Sequence, residues 1–202
     1  KEEVAGWLRT LEEENKSLFK ELKASGIIPK NQGYKIARPL VAGILTLSHE
    51  AQKKLREEKL LDNFLEHAKE YLQTLAKALG TDLLYAVVHL DETAPHIHFA
   101  LRNISYKDID TEAVKRLGWE DLLPNLRKAK GKAISNLFYA ETGLNSINPP
   151  RDYQIPLERL QDSLEFFRPR IGFGRGIRKK ERMARGEPYW KVIYRSVKRL
   201  HE

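Results

Sequence analysis

The sequence predicts an α+β fold in which a mostly antiparallel sheet is flanked by helices. Two apolar, strand-like runs, 83–90 and 96–102, stand five residues apart, the spacing of a hairpin. Two long stretches, 1–24 and 61–79, repeat apolar residues close to helical spacing. A further run of branched residues, Leu40 to Leu47, offers the sheet a third strand.

Val4, Trp7, Leu8, Leu11, Leu18 and Leu22 fall on one face of a helix over residues 1–24, which Ser25-Gly26 stops. Ile27 to Gly33, with Pro29, Asn31 and Gly33, is a loop. After the first strand, Ser48 is placed to cap a helix from His49 to about Lys59. A second helix, Leu61 to Leu79, ends at Gly80. Leu83 to Leu90 is a strand of the buried type; His96 to Arg102 alternates more clearly, and Pro95 stands at its threshold. Beyond it the pattern gives a short helix at Glu112–Arg116 and a long one at Leu122–Thr142, stopped by Gly143. Asn148-Pro149-Pro150 is a break, Leu157–Phe167 a further short helix, and Arg168–Gly176 a Gly/Pro-rich linker into a basic, helix-like tail. The chain thus divides into a core, 1–167, and a basic C-terminal arm, 168–202.

Composition narrows the function. No run approaches 18 apolar residues, so no membrane-spanning helix is expected. The polar opening Lys1-Glu2-Glu3 gives no expectation of a secretory signal. The absence of cysteine removes disulfides and thiolate metal sites and makes a cytoplasmic location the expectation. The net charge of +8 is regional: Arg168 to Arg199 holds twelve Lys and Arg against Glu181 and Glu187, leaving the core close to neutral. Such an arm suits an anionic partner. Tyr189, Trp190 and Tyr194 lie among its bases, an interleaving that suits stacking on single-stranded nucleic acid or docking onto a core. Gly172-Phe173-Gly174-Arg175-Gly176 lacks the preceding strand and the Lys-Ser/Thr of a phosphate loop and is read as linker.

Three of the six histidines, His89, His96 and His98, fall within ten residues. Residues two apart on a strand share a face, so His96 and His98 point one way and Ile97, Phe99 and Leu101 the other. Pairing through the Asp91–Pro95 loop brings His89 beside them. A lone histidine in a strand is ordinarily a hydrogen-bonded core residue. Three on one hairpin, with Asp91 and Glu92 in the loop, favour an open metal site instead. Imidazoles alone suit Zn, Cu, Fe or Ni; an added carboxylate and waters allow Mn or Mg. His49 and His67 are read as residues of helix faces.

The string His-Leu-Asp-Glu-Thr-Ala-Pro-His-Ile-His at 89–98 closely resembles the HxDExxPHxH signature of plasmid mobilization relaxases of the MobV (Mob/Pre) type, members of the HUH endonucleases. Weaker similarity runs from about Tyr34 to the helix ending near Thr142. The resemblance implies an HUH-endonuclease-like sheet, with His89, His96 and His98 holding a divalent ion, usually Mn or Mg, and Glu92 supporting the site. It implies nicking of single-stranded or hairpin DNA: a side chain attacks phosphorus, leaving a free 3′-OH and a 5′-phosphate joined covalently to the protein. Other relaxosome or mobile-element proteins are implied partners.

The chain departs from the family at the nucleophile. The family's histidine is expected well upstream of the metal string, yet residues 1–48 contain none. Either that segment lies outside this chain or the nucleophile lies elsewhere. Tyr139, 41 residues after His98, is the internal candidate, since replication-type HUH enzymes carry a tyrosine on a downstream helix. Tyr34 is a weaker rival. Expected DNA contacts are Arg102, then Lys128, Lys130 and Lys132 on the same predicted helix as Tyr139, and Arg175, Arg178, Lys179 and Lys180 in the arm. Two further functions stay open: a rolling-circle replication initiator or transposase using Tyr139, and a DNA-binding module that does not cleave.

Overall fold

The computed structural model describes residues 2–47, 49–90, 95–139, 150–172, 174 and 184–186. Helix α1, Glu2–Ala24, buries Leu11, Asn15, Phe19 and Leu22, a single stripe three to four residues apart. Glu2 and Glu3 in its first turn and Lys23 in its last complement the helix dipole. It ends where Gly26 takes φ +73°, a backbone conformation open to a residue without Cβ. After the loop come strand β1, Leu40–Thr46, then helices α2, His49–Glu57, and α3, Leu61–Ala78. The hairpin strands are β2, Leu83–His89, and β3, His96–Arg102.

The three strands form an antiparallel sheet in the order β1-β3-β2. One face packs on α3: Leu45, Ile97 and Leu101 join Phe64, Ala68, Leu72 and Leu75 in the main core. Each side chain so buried contributes about 2 kcal/mol of transfer free energy. Helix α1 crosses the opposite face. Its buried Asn15 donates from Nδ2 to the Pro39 carbonyl at 2.8 Å and accepts from Arg102 at 3.0 Å, while Trp7 lies 6.5 Å from the Tyr85 ring. The sheet is thus sandwiched, and the α+β expectation holds.

Strand β2 differs from the buried type expected of it. Tyr85, Val87 and Val88 are exposed because β2 is an edge strand: α1 covers only the part of its outer face near Tyr85, and Val88, opposite Ile97 on the inner face, lies outside the main core. Strand β2 also carries a bulge between Leu83 and Tyr85. Leu83 faces Leu101; an unbroken ladder from that pair would set His89 opposite Pro95, turned toward the core. The extra residue shifts the register, so that Tyr85 faces Ala100 and His89 faces His96 on the outer surface.

The predicted long helix Leu122–Thr142 does not form. Helix α4, Thr111–Arg116, has the expected place, capped by the Asp110 carboxylate accepting from the Glu112 and Ala113 amides. After it come a 3-10 turn at Glu120–Leu122, helix α5, Leu123–Lys128, a second 3-10 turn at Ile134–Asn136 and strand β4, Phe138–Tyr139. The break is at Gly131, whose φ of +73° ends the helix and whose amide donates to the Ser105 carbonyl at 2.7 Å. Ser105 in turn donates to the Lys132 carbonyl at 3.1 Å, so this backbone is satisfied by the chain leaving β3 rather than by a helical ladder. Strand β4 pairs in parallel with β5, Ile155–Pro156. The end of the predicted helix and its Gly143 stop lie outside the described residues, as do Ser48 and the Asn148-Pro149 break.

Helix α6, Leu157–Asp162, continues into a 3-10 turn at Ser163–Phe167. Arg168 to Ile171, expected to open the linker, instead forms a helical turn, α7, with Ile171 buried in the main core. Arg170 lies over the Phe166 ring at 3.9 Å and 3.6 Å from Glu70 of α3, contacts that hold the turn down. The aromatics and basic residues of the arm from Arg175 to Arg182 and from Glu187 onward lie outside the described residues.

Candidate metal centre

The outer face of β3 presents His96 and His98, and cross-strand pairing brings His89 of β2 directly opposite His96. Ring centroids lie 5.0 Å apart for His89 and His96, 4.7 Å for His89 and His98, and 4.9 Å for His96 and His98. One nitrogen from each ring can be chosen so that all three lie within 4.8 Å of one another. Each histidine is half-buried, so the nitrogens converge at an open surface rather than in a closed core.

Three neutral imidazole donors on one rigid sheet suit a divalent cation, and the exposed side leaves room for water and a phosphate oxygen. The donor set fits the divalent ion that the sequence implies; it does not by itself distinguish Mn or Mg from Zn. No other group of three or more His, Asp or Glu side chains with such spacing occurs among the described residues. Glu92, expected to support the site, lies outside the described residues with Asp91.

The surroundings of the triad are apolar, which the sequence reading missed. In register, His98 sits between Ile44 of β1 and Val87 of β2, which are 59% and 49% exposed. The alternation of β1 and β2 carried that signal once the strand order was known. The outer face therefore sets three imidazoles amid apolar side chains, with Tyr85 and Trp7 of α1 beyond.

The other sequence-predicted residues lie apart from the triad or outside the description. Tyr139 is on β4, half-buried in the second sheet, beside Phe138, whose ring lies 6.0 Å from the Trp119 ring. Tyr34 packs edge-on to Phe19 at 5.4 Å; its hydroxyl is buried with no hydrogen-bond partner among the described residues, and burial raises its pKa. Arg102 is held by Glu14 at 2.9 Å, Asn15 at 3.0 Å and Asp82 at 3.4 Å. Lys128 lies 3.5 Å from Asp152 and Lys130 lies 3.1 Å from Asp108, whereas Lys132 rests over the Tyr153 ring at 3.8 Å. These three lysines therefore point into different surroundings. Arg175, Arg178, Lys179 and Lys180 are outside the described residues. His67 accompanies Glu70 on α3 at 3.3 Å, as a helix-face residue, and His49 opens α2.

Among the described residues no helix is long and apolar enough to cross a membrane. No curated protein and no solved structure matches the chain. A family model does: that of the plasmid recombination enzymes, Mob/Pre, matches residues 30–123, a stretch that runs from the loop after α1 through all three strands and the histidine triad to the first residue of α5. Over residues 30–123 the chain is similar to the plasmid recombination enzyme family.

Proposed function

We propose that the chain is the core of a metal-dependent relaxase that nicks and rejoins single-stranded origin DNA through a covalent 5′-phosphoprotein link. The observation that carries this reading is the convergence of His89, His96 and His98 on the open face of the sheet within the Mob/Pre stretch. A divalent ion held there, Mn or Mg, supplies Lewis-acid polarisation of a phosphate oxygen and neutralises developing charge. The three imidazoles must be neutral to serve as donors, and the β3 backbone fixes two of them on one face. Ile44 and Val87 flank His98 in register with apolar side chains that do not compete for the ion.

In the proposed reaction a nucleophilic side chain attacks phosphorus, the P–O3′ bond breaks, and the 3′ oxygen takes up a proton to leave as a hydroxyl. The new phosphodiester to the protein conserves the bond energy for rejoining. Glu92 is proposed to support the histidines. Arg102, Lys128, Lys130 and Lys132 of the 1–167 core, and Arg175, Arg178, Lys179 and Lys180 of the 168–202 arm, are proposed to meet phosphates, in the cytoplasm and together with other mobilization proteins.

Incubation with Mn and a panel of labelled single-stranded and hairpin oligonucleotides, followed by denaturing gels, tests the reading. The expected product is a protein-linked DNA band that disappears in His98→Ala. Binding without an adduct would mark a non-cleaving DNA-binding module. Because residues 1–48 contain no histidine, Tyr139 is the second reading's nucleophile, that of a replication initiator or transposase. Loss of the adduct in Tyr139→Phe, with DNA binding intact, selects it.

A further inference from the structure

At the end of β3 remote from the histidines, the loop before β1 and the segment after α5 enclose a half-open pocket of about 340 Å3. It is strapped to the chain leaving β3. Asn103 accepts from the Ser135 amide at 2.8 Å and donates to the Arg38 carbonyl at 2.9 Å, while the Gly131 amide donates to the Ser105 carbonyl and the Ser105 amide to the Lys132 carbonyl. Gln32 closes the wall by donating to the Gly131 carbonyl at 3.4 Å. The six steps from His96 to Arg102 separate this pocket from the metal centre by roughly 20 Å.

Lys35, Lys132 and Arg151 line the pocket, and no Asp or Glu does. Neither Lys35 nor Lys132 has a carboxylate within ion-pair distance among the described residues. Lys132 is instead laid over the face of Tyr153, 3.8 Å from its centroid, and Arg151 donates to the Tyr153 hydroxyl at 3.1 Å. Asp152 acts on Lys132 as a favourable charge, but it is the ion-pair partner of Lys128 at 3.5 Å. Burial works against the Lys132 ammonium and lowers its pKa. A cation that has lost water and gained only a ring face is under-compensated, and an anion beside it would restore the loss. The rest of the lining includes the amides of Asn31, Gln32 and Asn136 and the apolar Pro29, Ile36 and Ala133, partners for the edge and face of a planar heterocycle.

We propose that this pocket binds a nucleotide, with the phosphate held by Lys132, Arg151 and Lys35 and the base set against the amides. The nucleotide comes either from a DNA strand running from the metal centre, about six stacked bases away at 3.4 Å each, or from a free mononucleotide. The first source rests on the nicking reading; the second does not.

The test uses the whole chain in EDTA, so that the histidine centre plays no part. Thymidine monophosphate and a labelled oligothymidylate are titrated separately, following amide shifts of Gly131, Ala133 and Tyr153 and, for the oligonucleotide, polarisation. Lys132→Met keeps the stem on Tyr153 and removes the charge; Lys132→Arg restores it. The expected result is shifts at those amides and about tenfold weaker binding in Lys132→Met. Recovery in Lys132→Arg is expected too. Response to both probes assigns a site open to free nucleotide, and response to the oligonucleotide alone assigns a strand phosphate; either supports the site. Absence of shifts with both probes at millimolar concentration, or equal affinity in Lys132→Met whose spectrum shows it folded, overturns it. The nicking assay in Mn is scored separately, so loss of one reading leaves the other standing.

Discussion

His98 is the central residue of the triad, facing Val87 and Ile44 in register and lying 4.7 and 4.9 Å from the other two rings. Replacing it by Ala leaves two donors, and manganese affinity measured by calorimetry should fall by about a hundredfold or more. The half-buried position means the fold should survive, so an unchanged melting temperature with unchanged metal affinity would remove the triad from the mechanism. Gly80 makes the opposite kind of demand. Its φ is +62°, and a Cβ there would come within 2.6 Å of the Lys107 carbonyl oxygen and 2.9 Å of the Ile109 side chain. Its own carbonyl accepts from both Tyr106 and Lys107 at 2.8 and 2.9 Å, so the backbone has little freedom to relax. Gly80→Ala should cost about 2–3 kcal/mol in urea denaturation; a loss below half of that would show the turn to be softer than its contacts suggest.

Among the elements, the hairpin was the most legible in the sequence and the segment after α4 the least. Alternation from His96 to Arg102 and the five-residue loop gave both strands and their pairing, because one buried face enforces period two. The 3.6-residue pattern gave α1 and α3 for the same reason. The helix drawn through Leu122–Thr142 failed because an apolar spacing compatible with a helix does not reveal that Gly131 will bond to Ser105, far along the chain. Exposure of β2 was equally hidden, since strand order decides which strand lies at the edge. The bulge between Leu83 and Tyr85 has no local signature, yet it turns His89 outward. Deleting Leu84 should straighten the ladder and turn His89 toward the core, so that a folded variant binds manganese as weakly as one lacking His89. Wild-type affinity in that variant would mean that the Asp91–Pro95 loop alone sets the register.

Across the whole molecule, two carboxylates bind the layers together. Asp82, just before β2, meets Lys107 at 2.5 Å, Arg102 at 3.4 Å and the Tyr106 hydroxyl; through Arg102 it reaches α1. Glu70 of α3 joins Arg116 of α4, His67, and Arg170 of α7. Burial opposes the charge on both. For Asp82 the bonds from Lys107 and Tyr106 outweigh it, and for Glu70 those from Arg116 and His67, so both pKa values fall below their ordinary 3.8 and 4.5. A depressed folded-state pKa contributes stability that is fully present above the unfolded value and lost as pH falls through the folded one. Melting temperature should therefore hold steady at and above about pH 5 and drop below about pH 4. Glu70 is the more exposed of the two, so solvent screening leaves Asp82 the larger share. Asp82→Asn keeps the shape and removes the charge. It should melt lower than the wild type at pH 6, and the gap should narrow as pH falls through the depressed folded-state pKa of Asp82. Parallel melting profiles for the two proteins from pH 6 to pH 2.5 would show that the Asp82 cluster is held by packing rather than by its charge.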